Sequence, residues 1–505
     1  MLTRYPNRLI WGLFVTVALV ALVARPEPVS GDSVATIHPA VQAFQQQHPG
    51  AAVPVIVQTA DNGEPASNLA ESVGAFDDLS LIGGFAAVLP PDKIEKLSRD
   101  PDVAMISLDA PMMVQNDGGK AHEGKHPDDD GKVDRGKHPS DDIYPASSYP
   151  FSVDADEVWD EGVTGDGVMV AVIDSGIAER KDFKGRVEDR LDFSSLDSGR
   201  NDRNGHGTYV AGVIAGESDR YTGIAPDAGL LSVKVANREG QALVSDVVLA
   251  LQWVVDHKDE YNIRVVNISL NSSIPDSYLQ NPLNAAVEQA WFHGIVVVVA
   301  AGNFGGEEFA SDHAPANDPF VITVGAFDDA GTVDSDDDSP ATWSSSGLTM
   351  DGYAKPEVVA PGVDIVSVLA GRGSYLAKTG PSAIVDHRYL SLSGTSSSSA
   401  VVSGIVALII EQDPGLTPDD VKFRLMATAD PVDGWSAPRV DADDAVFTTV
   451  SGEANESALP CDLIDPVTGE ILYDSVLWNS VLWNSVLWNN VLWNNVLWNS
   501  VLWSR

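Results

Sequence analysis

Four apolar runs punctuate the middle of this chain: VMVAVID (168–174), GLLSVKV (229–235), RVVNISL (264–270) and GIVVVVAAG (294–302). Few polar residues interrupt them, which is the pattern of strands buried on both faces. Between them, SDVVLALQWVVDH (245–257) and LNAAVEQAWFH (283–293) space apolar residues three and four apart, which predicts helices. Strand alternating with helix from Tyr144 to about Thr448 predicts an α/β domain built on a parallel sheet flanked by helices. In open sheets of this kind, functional side chains gather beyond the carboxyl ends of the strands. Asp174 closes the first of these strands, and Asn303 follows the fourth.

The pattern differs on either side of this block. From Val53 to Met113 a small α+β unit is predicted, with strands at VPVIVQ (53–58), GGFAAVLP (83–90) and VAMISLD (103–109). A short helix, PDKIEKLSRD (91–100), sets Ile94 and Leu97 on one face. We place this domain at 32–113. A linker follows at 114–143, in which 115–142 is Gly, Asp, Lys and His with almost nothing apolar to bury. Its three histidines (122, 126, 138) lack fixed ligand spacing, so solvated linker is the preferred reading over a metal site. Such a joint is where maturation cleavage would fall. The N-terminus carries Arg4 and Arg8 and then an uncharged apolar run, Leu9–Ala24. That run is short for a membrane span and suits an export signal within 1–31, with an uncleaved anchor as the alternative.

Charge narrows the partners. A formal net charge of −42 argues against nucleic acid, whose phosphates would be repelled. It suits a solvated acidic surface on an exported protein, or adaptation to a salty medium that screens self-repulsion. The single cysteine, Cys461, permits no internal disulfide.

Three short segments hold the candidate chemistry: VAVIDSGI around Asp174, NGHGTYVAG around His206 and SGTSSSSA around Ser396. A serine hydroxyl becomes a useful nucleophile when an imidazole accepts its proton, and a carboxylate fixes that imidazole's tautomer. A carboxylate buried at a strand end needs such a partner. Glycines flank His206, and Ser396 opens an apolar helix whose free N–H groups could receive an oxyanion.

With the order Asp, His, Ser, these segments resemble the subtilisin-like serine peptidases. The likeness extends through GIAPDAGLLSVKV (223–235), VAAGNFGG and KPEVVAPGVDIVS (355–367) over 144–448. It implies a subtilisin-like fold and peptide-bond hydrolysis by Asp174, His206 and Ser396, with Asn303 as oxyanion donor. No cofactor is implied for catalysis; structural calcium is common in the family, yet DSDDDSP (334–340) reads better as an acidic surface loop. NISLNSS (267–273) is similar to the strand that pairs with substrate backbone, which makes Ser269, Leu270 and Asn271 substrate-binding candidates. Phe304 hints at an apolar lining for the residue before the scissile bond. The family usually has glycines where Asn271 and Ser272 stand, so a narrowed pocket is expected. Around the nucleophile, Ser397, Ser398, Ala400 and Val401 depart from the family pattern, which leaves a neighbouring serine as an alternative. The 32–113 domain resembles inhibitor-type propeptides, which leave their C-terminal end in the substrate cleft.

After a linker at 449–474, SVLWN recurs six times from Ser475 to Trp503, with Asn490 and Asn495 opening two copies. The tail 475–505 reads as a sticky, partly ordered segment, or as a cell-surface retention or assembly element. The expected protein is a secreted serine endopeptidase zymogen that acts on protein or peptide substrates, with its own propeptide as inhibitor. The alternative is a non-catalytic surface binding protein on a decayed protease fold.

Overall fold

The computed structural model describes residues 35–464 apart from 60–68, 71–72, 75, 115–146, 219, 307–308, 456–457 and 463. The predicted export signal, the linker histidines and the repeat tail lie outside the described residues. Residues 35–109, with the stretch 460–464, form one compact unit, and 110–459 form another.

The first unit follows its hydrophobic pattern. Its elements are β1 (Thr36–Ile37), α1 (Pro39–Gln47), β2 (Val53–Thr59), β3 (Asp77–Leu79), β4 (Gly84–Leu89), α2 (Pro91–Leu97) and β5 (Val103–Leu108). The sheet order is β1-β5-β2-β4-β3, with β1 parallel to β5 and the other pairs antiparallel. Every residue of β2 is buried, the apolar run Val53–Val57 and also the polar Gln58 and Thr59 that close the strand. Ile94 and Leu97 are the buried residues of α2. The sequence reading missed β1, α1 and β3, which are short or weakly apolar.

The second unit opens with β6 (Pro111–Val114) and the short α3 (Ala155–Asp160). Its main sheet uses β7 (Met169–Asp174), β8 (Val187–Asp192), β9 (Gly229–Lys234), β11 (Ile263–Ile268), β13 (Val296–Ala300), β14 (Ile322–Asp328) and β18 (Val358–Pro361). These seven run parallel in the order β8-β9-β7-β11-β13-β14-β18. A two-residue strand, β15 (Ser339–Pro340), adds antiparallel to β14. The chain starts at β7, builds β8 and β9 on one side, then crosses to build β11, β13 and β14 on the other. Such a reversal opens a crevice at the carboxyl ends of the central strands.

Helices cover the sheet. The connections supply α4 (His206–Ala215), β10 (Gln241–Leu243), α5 (Val244–Tyr261), β12 (Leu270–Ser272) and α6 (Pro282–Phe292). Beyond β15 come the hairpin β16 (Gly347–Leu348) and β17 (Ala354–Lys355), then β19 (Ile365–Val368), α7 (Tyr375–Thr379), β20 (Ile384–Val385) and β21 (Tyr389–Leu392). The unit ends with α8 (Thr395–Gln412), α9 (Pro418–Thr428) and α10 (Ala442–Phe447). Helix α8 opens on five hydroxyl residues and is largely apolar beyond them, and it is buried from Thr395 to Ile410, so it runs through the interior against α4, β11, β13 and β14. Each fully buried Leu or Ile on it contributes about 1.5–3 kcal/mol. Glu411, at its far end, accepts hydrogen bonds from the backbone N–H groups of Thr164 (2.8 Å), Gly165 and Asp166 (3.2 Å). That contact anchors α8 to the turn that leads into β7.

Among the buried charges of this unit, one group links two lysines through a single carboxylate. Lys355 and Lys422 both donate to Glu357 Oε1, at 2.7 and 3.0 Å, and all three side chains are almost fully buried. Further bonds run from Lys355 Nζ to Thr323 Oγ1 (3.1 Å), from Lys422 Nζ to the Pro319 and Val321 carbonyls (2.6 and 2.9 Å), and from Thr323 N to Glu357 Oε2 (2.9 Å).

Candidate active site

Asp174 is the last residue of β7 and His206 the first of α4; both are fully buried. His206 Nδ1 lies 2.9 Å from each carboxylate oxygen of Asp174. Asp174 Oδ1 also accepts from Ser175 N at 2.7 Å. The opposite ring nitrogen, Nε2, is buried and has no hydrogen-bond partner among the described residues. The glycine after the histidine is required by this approach. A Cβ on Gly207 would sit 2.3 Å from Gly176 O and 3.1 Å from Asp174 Cβ, so any side chain there would push α4 away from β7.

A second carboxylate braces the pair. Asp202 Oδ1 accepts from Ser175 Oγ (3.0 Å) and Gly205 N (2.7 Å), while Oδ2 accepts from Thr208 N (3.0 Å) and Thr208 Oγ1 (2.5 Å). Ser175 Oγ in turn accepts from Gly207 N at 3.0 Å. Burial raises the Asp202 carboxyl above its ordinary pKa, against the opposing pull of these hydrogen bonds. Asp202 and Ser175 thus clamp the loops that carry His206 and Asp174. The sequence reading missed Asp202, although it stands four residues before the histidine.

Ser396 is the second residue of α8, and 2 % of its surface is exposed. The rest of the serine run has structural partners. Ser397 Oγ bonds Tyr209 Oη at 2.8 Å, Ser398 Oγ donates to Pro361 O at 3.2 Å, and Ser399 Oγ bonds Ser396 O (3.1 Å) and Ser269 Oγ (3.0 Å). Asn303, three residues beyond β13, is tied to the start of α8. Its Oδ1 accepts from Thr395 N (3.1 Å) and Thr395 Oγ1 (3.0 Å), and Gly302 N donates to Thr395 Oγ1 (3.1 Å). With the carbonyl end so occupied, the amide NH2 is turned away from Thr395.

Beside these groups lies a small antiparallel sheet of order β10-β6-β12. Gln241, Ala242 and Leu243 pair with Met113, Met112 and Pro111; Leu270, Asn271 and Ser272 pair with Val114, Met113 and Met112. Residues 111–114 are therefore an extended segment gripped by main chain on both edges. Met112 and Val114 are buried, while Met113 is 37 % exposed. A Cβ on Gly240 would lie 2.7 Å from Val114 Cγ2 and 3.2 Å from Asn204 Nδ2, so this strand reaches the loop that precedes His206.

The predicted substrate-binding residues divide accordingly. Leu270 and Asn271 contribute backbone to this sheet. Ser269 is buried, and its hydroxyl turns to Asn267 Nδ2 (2.9 Å) and Ser399. The Asn271 side chain donates to Ala300 O at 3.1 Å. Phe304 stacks on His313, with ring centroids 4.0 Å apart and planes inclined by 17°, and His313 Nδ1 bonds Ser272 O at 2.8 Å. The sequence reading did not single out His313.

Among the described residues, no group of three or more His, Cys, Asp or Glu side chains could hold a metal ion. Within the acidic run at 334–340, Asp338 pairs with Arg439 at 2.9 Å and Asp337 accepts from Thr332 Oγ1 at 2.9 Å. Among the described residues, no helix is long and apolar enough to cross a membrane. Cys461 is buried.

Comparison with known proteins agrees with this architecture. The Subtilase family model (Peptidase_S8) matches residues 165–455, more than half of the chain. The chain is 41% identical over 272 residues to serine protease AprX of Bacillus subtilis (strain 168), covering 52% of this chain and 61% of that protein. To subtilisin DY of Bacillus licheniformis it is 35% identical over 291 residues, covering 56% of this chain and 92% of that one. Its fold is similar to the crystal structure of fervidolysin from Fervidobacterium pennivorans, described as a keratinolytic enzyme related to subtilisin. The TM-score is 0.64 at 20% identity, over 84% of this chain and 64% of that one. The chain thus spans about three fifths of the length of the AprX relative. On its sequence and its fold, this chain belongs to the subtilase family.

Proposed function

We propose that the chain is a serine endopeptidase, in which Ser396 attacks the peptide carbonyl and His206 accepts its proton. The observation that carries this reading is the buried His206, with Nδ1 held between both oxygens of Asp174 and Nε2 without a hydrogen-bond partner among the described residues. Asp174 fixes the tautomer with Nδ1 protonated, so Nε2 is the basic nitrogen, and it stabilises the imidazolium once the proton arrives. Attack forms an Oγ–carbon bond and moves negative charge onto the carbonyl oxygen. The Asn303 amide NH2 and backbone N–H groups at the start of α8 are the donors for that charge; one such donor contributes about 3–4 kcal/mol. His206 then protonates the leaving amine, and the C–N bond breaks to give an acyl-enzyme. Water, deprotonated by the same nitrogen, hydrolyses the ester and restores Ser396.

Substrates are protein or peptide chains that lie extended between β10 and β12 and are held by main-chain hydrogen bonds. Residues 111–114 occupy that position in this structure. This supports the further reading that 32–113 is an inhibitory propeptide and that the protein is made as a zymogen. Export by the 1–31 segment and surface association through the 475–505 repeats complete the proposal; deleting 475–505 and measuring where activity partitions tests the latter. The deciding experiment for catalysis is labelling by a serine-directed fluorophosphonate. Labelling that is lost in Ser396→Ala and kept in Ser397→Ala is expected. Absence of labelling in the parent chain would leave a decayed, non-catalytic fold.

A further inference from the structure

In a chain with 31 basic and 73 acidic residues, a cation without a carboxylate beside it is unusual. Several gather around one pocket of about 440 Å³, lined by Arg180, Lys181, Arg372, His387 and Arg388, with Glu179 and Asp182 as the only carboxylates. Arg388 is taken up by Asp182 at 3.2 Å. Arg180 and Arg372 are not neutralised, for neither has a carboxylate within salt-bridge distance among the described residues. Half-buried Arg180 is instead held by carbonyls: Nε donates to Leu369 O (2.8 Å) and Nη1 to Glu179 O (3.1 Å). Arg372 Nη2 donates to His387 Nδ1 at 2.7 Å. The nearby Asp386 is engaged by Arg220 at 2.7 Å and by Tyr221. These guanidinium groups are positioned but retain their charge.

The pocket adjoins the proposed catalytic groups through two loops. The stretch 175–182 leaves β7 directly after Asp174. The segment at 371–376 is bonded to the loop before His206, with Tyr375 N donating to Arg203 O (2.9 Å) and Leu376 N to Asn204 O (3.0 Å). A Cβ on Gly205 would lie 3.0 Å from Ser374 Oγ. A peptide held across β10 and β12 passes this loop, because Val114 already borders Asn204.

We infer that this pocket is a subsite for carboxylate side chains of the peptide substrate, with Arg180 and Arg372 as its specificity-determining residues. The inference rests on the peptidase reading above. The chemistry is charge-assisted hydrogen bonding by planar guanidinium forks, which match carboxylate geometry. The location also meets an electrostatic need. A strongly acidic protein repels acidic peptides at long range, and a local cationic site offsets that repulsion where the substrate must dock.

The test uses the full chain and paired quenched peptides that share one cleavable apolar segment. One member carries Asp at successive positions on either side of that segment, and the other carries Asn. The acidic-to-neutral ratio of kcat/KM should exceed one at one or two positions and fall with added salt. In R180Q/R372Q that ratio should drop about tenfold, the scale of one charge-assisted hydrogen bond. R372E, at an exposed position, serves as the second variant and should invert the preference. A ratio that does not respond to either variant overturns the subsite. So does inhibition of both peptides alike by inorganic phosphate, lost in the variants, because that marks a free-anion site. If neither peptide is cleaved by full chain that has been allowed to mature, and that chain is not labelled by the fluorophosphonate, it is the peptidase reading that has failed. The pocket is then judged by fluorescence anisotropy of a labelled tri-aspartate peptide on S396A. Binding that R180Q/R372Q abolishes sustains the pocket; equal binding of the tri-asparagine peptide refutes it.

Discussion

Tyr209 Oη and Ser397 Oγ lie 2.8 Å apart, and this contact joins the helix that begins at His206 to the helix that carries Ser396. Tyr209 also donates towards Ile365 O at 2.9 Å. Removing its hydroxyl strips a partner from a buried serine and from a buried carbonyl together. Tyr209→Phe should therefore destabilise by about 1–3 kcal/mol in urea titration, whereas Ser397→Ala, which leaves Tyr209 its carbonyl, should cost about 1 kcal/mol. If Ser397→Ala proves the more damaging, the bridge is not organised around the tyrosine.

Asp202 offers a sharper test of positioning. It touches no reacting group, yet four hydrogen bonds converge on its two oxygens. In Asp202→Asn one oxygen becomes a donor that faces other donors, so the Ser175 and Gly205 side or the Thr208 side must shift. A displacement on the order of 1 Å at His206 lowers kcat by about 100-fold. We expect that loss to fall on kcat with KM held within about twofold, since the strands that grip substrate are untouched. A change confined to KM would contradict the positioning role.

The buried Lys355–Glu357–Lys422 group predicts an asymmetric response. Burial alone would raise the Glu357 carboxyl, but the two ammonium groups hold it below its ordinary value. Burial also pushes Lys355 down to about 8, against the pull of Glu357. Glu357→Gln removes the carboxylate that both cations bond and leaves Asp318 as the remaining nearby counter-charge; it should cost about 3 kcal/mol in chemical denaturation. Replacing all three by apolar residues of similar volume should cost far less, and a triple variant as unstable as Glu357→Gln would reject this account.

Asp154 sets a pH dependence. Burial, followed by Asp441, Glu157 and Asp156, raises its carboxyl to about 7. A carboxyl raised in the folded state favours folding fully below its unfolded pKa of about 3.9, and that contribution is lost as pH rises towards 7. Asp154→Asn should thus raise Tm by a few degrees at pH 8 and change it little at pH 4. Asparagine also tolerates the left-handed backbone here, where φ is 57°. An equal shift at both pH values would point to the backbone and away from titration.

The central sheet was legible because its strands are buried on both faces and so carry unbroken apolar runs. Asp174 and His206 were legible because each sits in a short motif beside its element's end, and the structure brings them into hydrogen-bond contact. The serine run was ambiguous in sequence, where four hydroxyls look alike. Partners from distant segments separate them, Ser397 to Tyr209 and Ser398 to Pro361. Strand β6 escaped notice, since PMMV acquires its conformation from β10 and β12, well over a hundred residues further along the chain. The Arg180–Arg372 pocket and the Lys355–Lys422 group are likewise products of long-range packing, and no local pattern encodes them. The Asn271 side chain, from which a narrowed pocket is expected, is fixed by its bond to Ala300 O, a partner 29 residues away that no local pattern reveals.

Strand β6 bears on which proteins a peptidase of this kind can cut. Residues 111–114 are held by backbone partners along both edges, which demands about four consecutive residues in the extended conformation. A helix in a target cannot present that shape without breaking its own hydrogen bonds, and a strand inside a sheet has both edges already occupied. Cleavage should then follow local unfolding of the target, with its rate set by how often a loop, a frayed end or a damaged region opens. Such an enzyme would read the stability of its substrates before it reads their sequence.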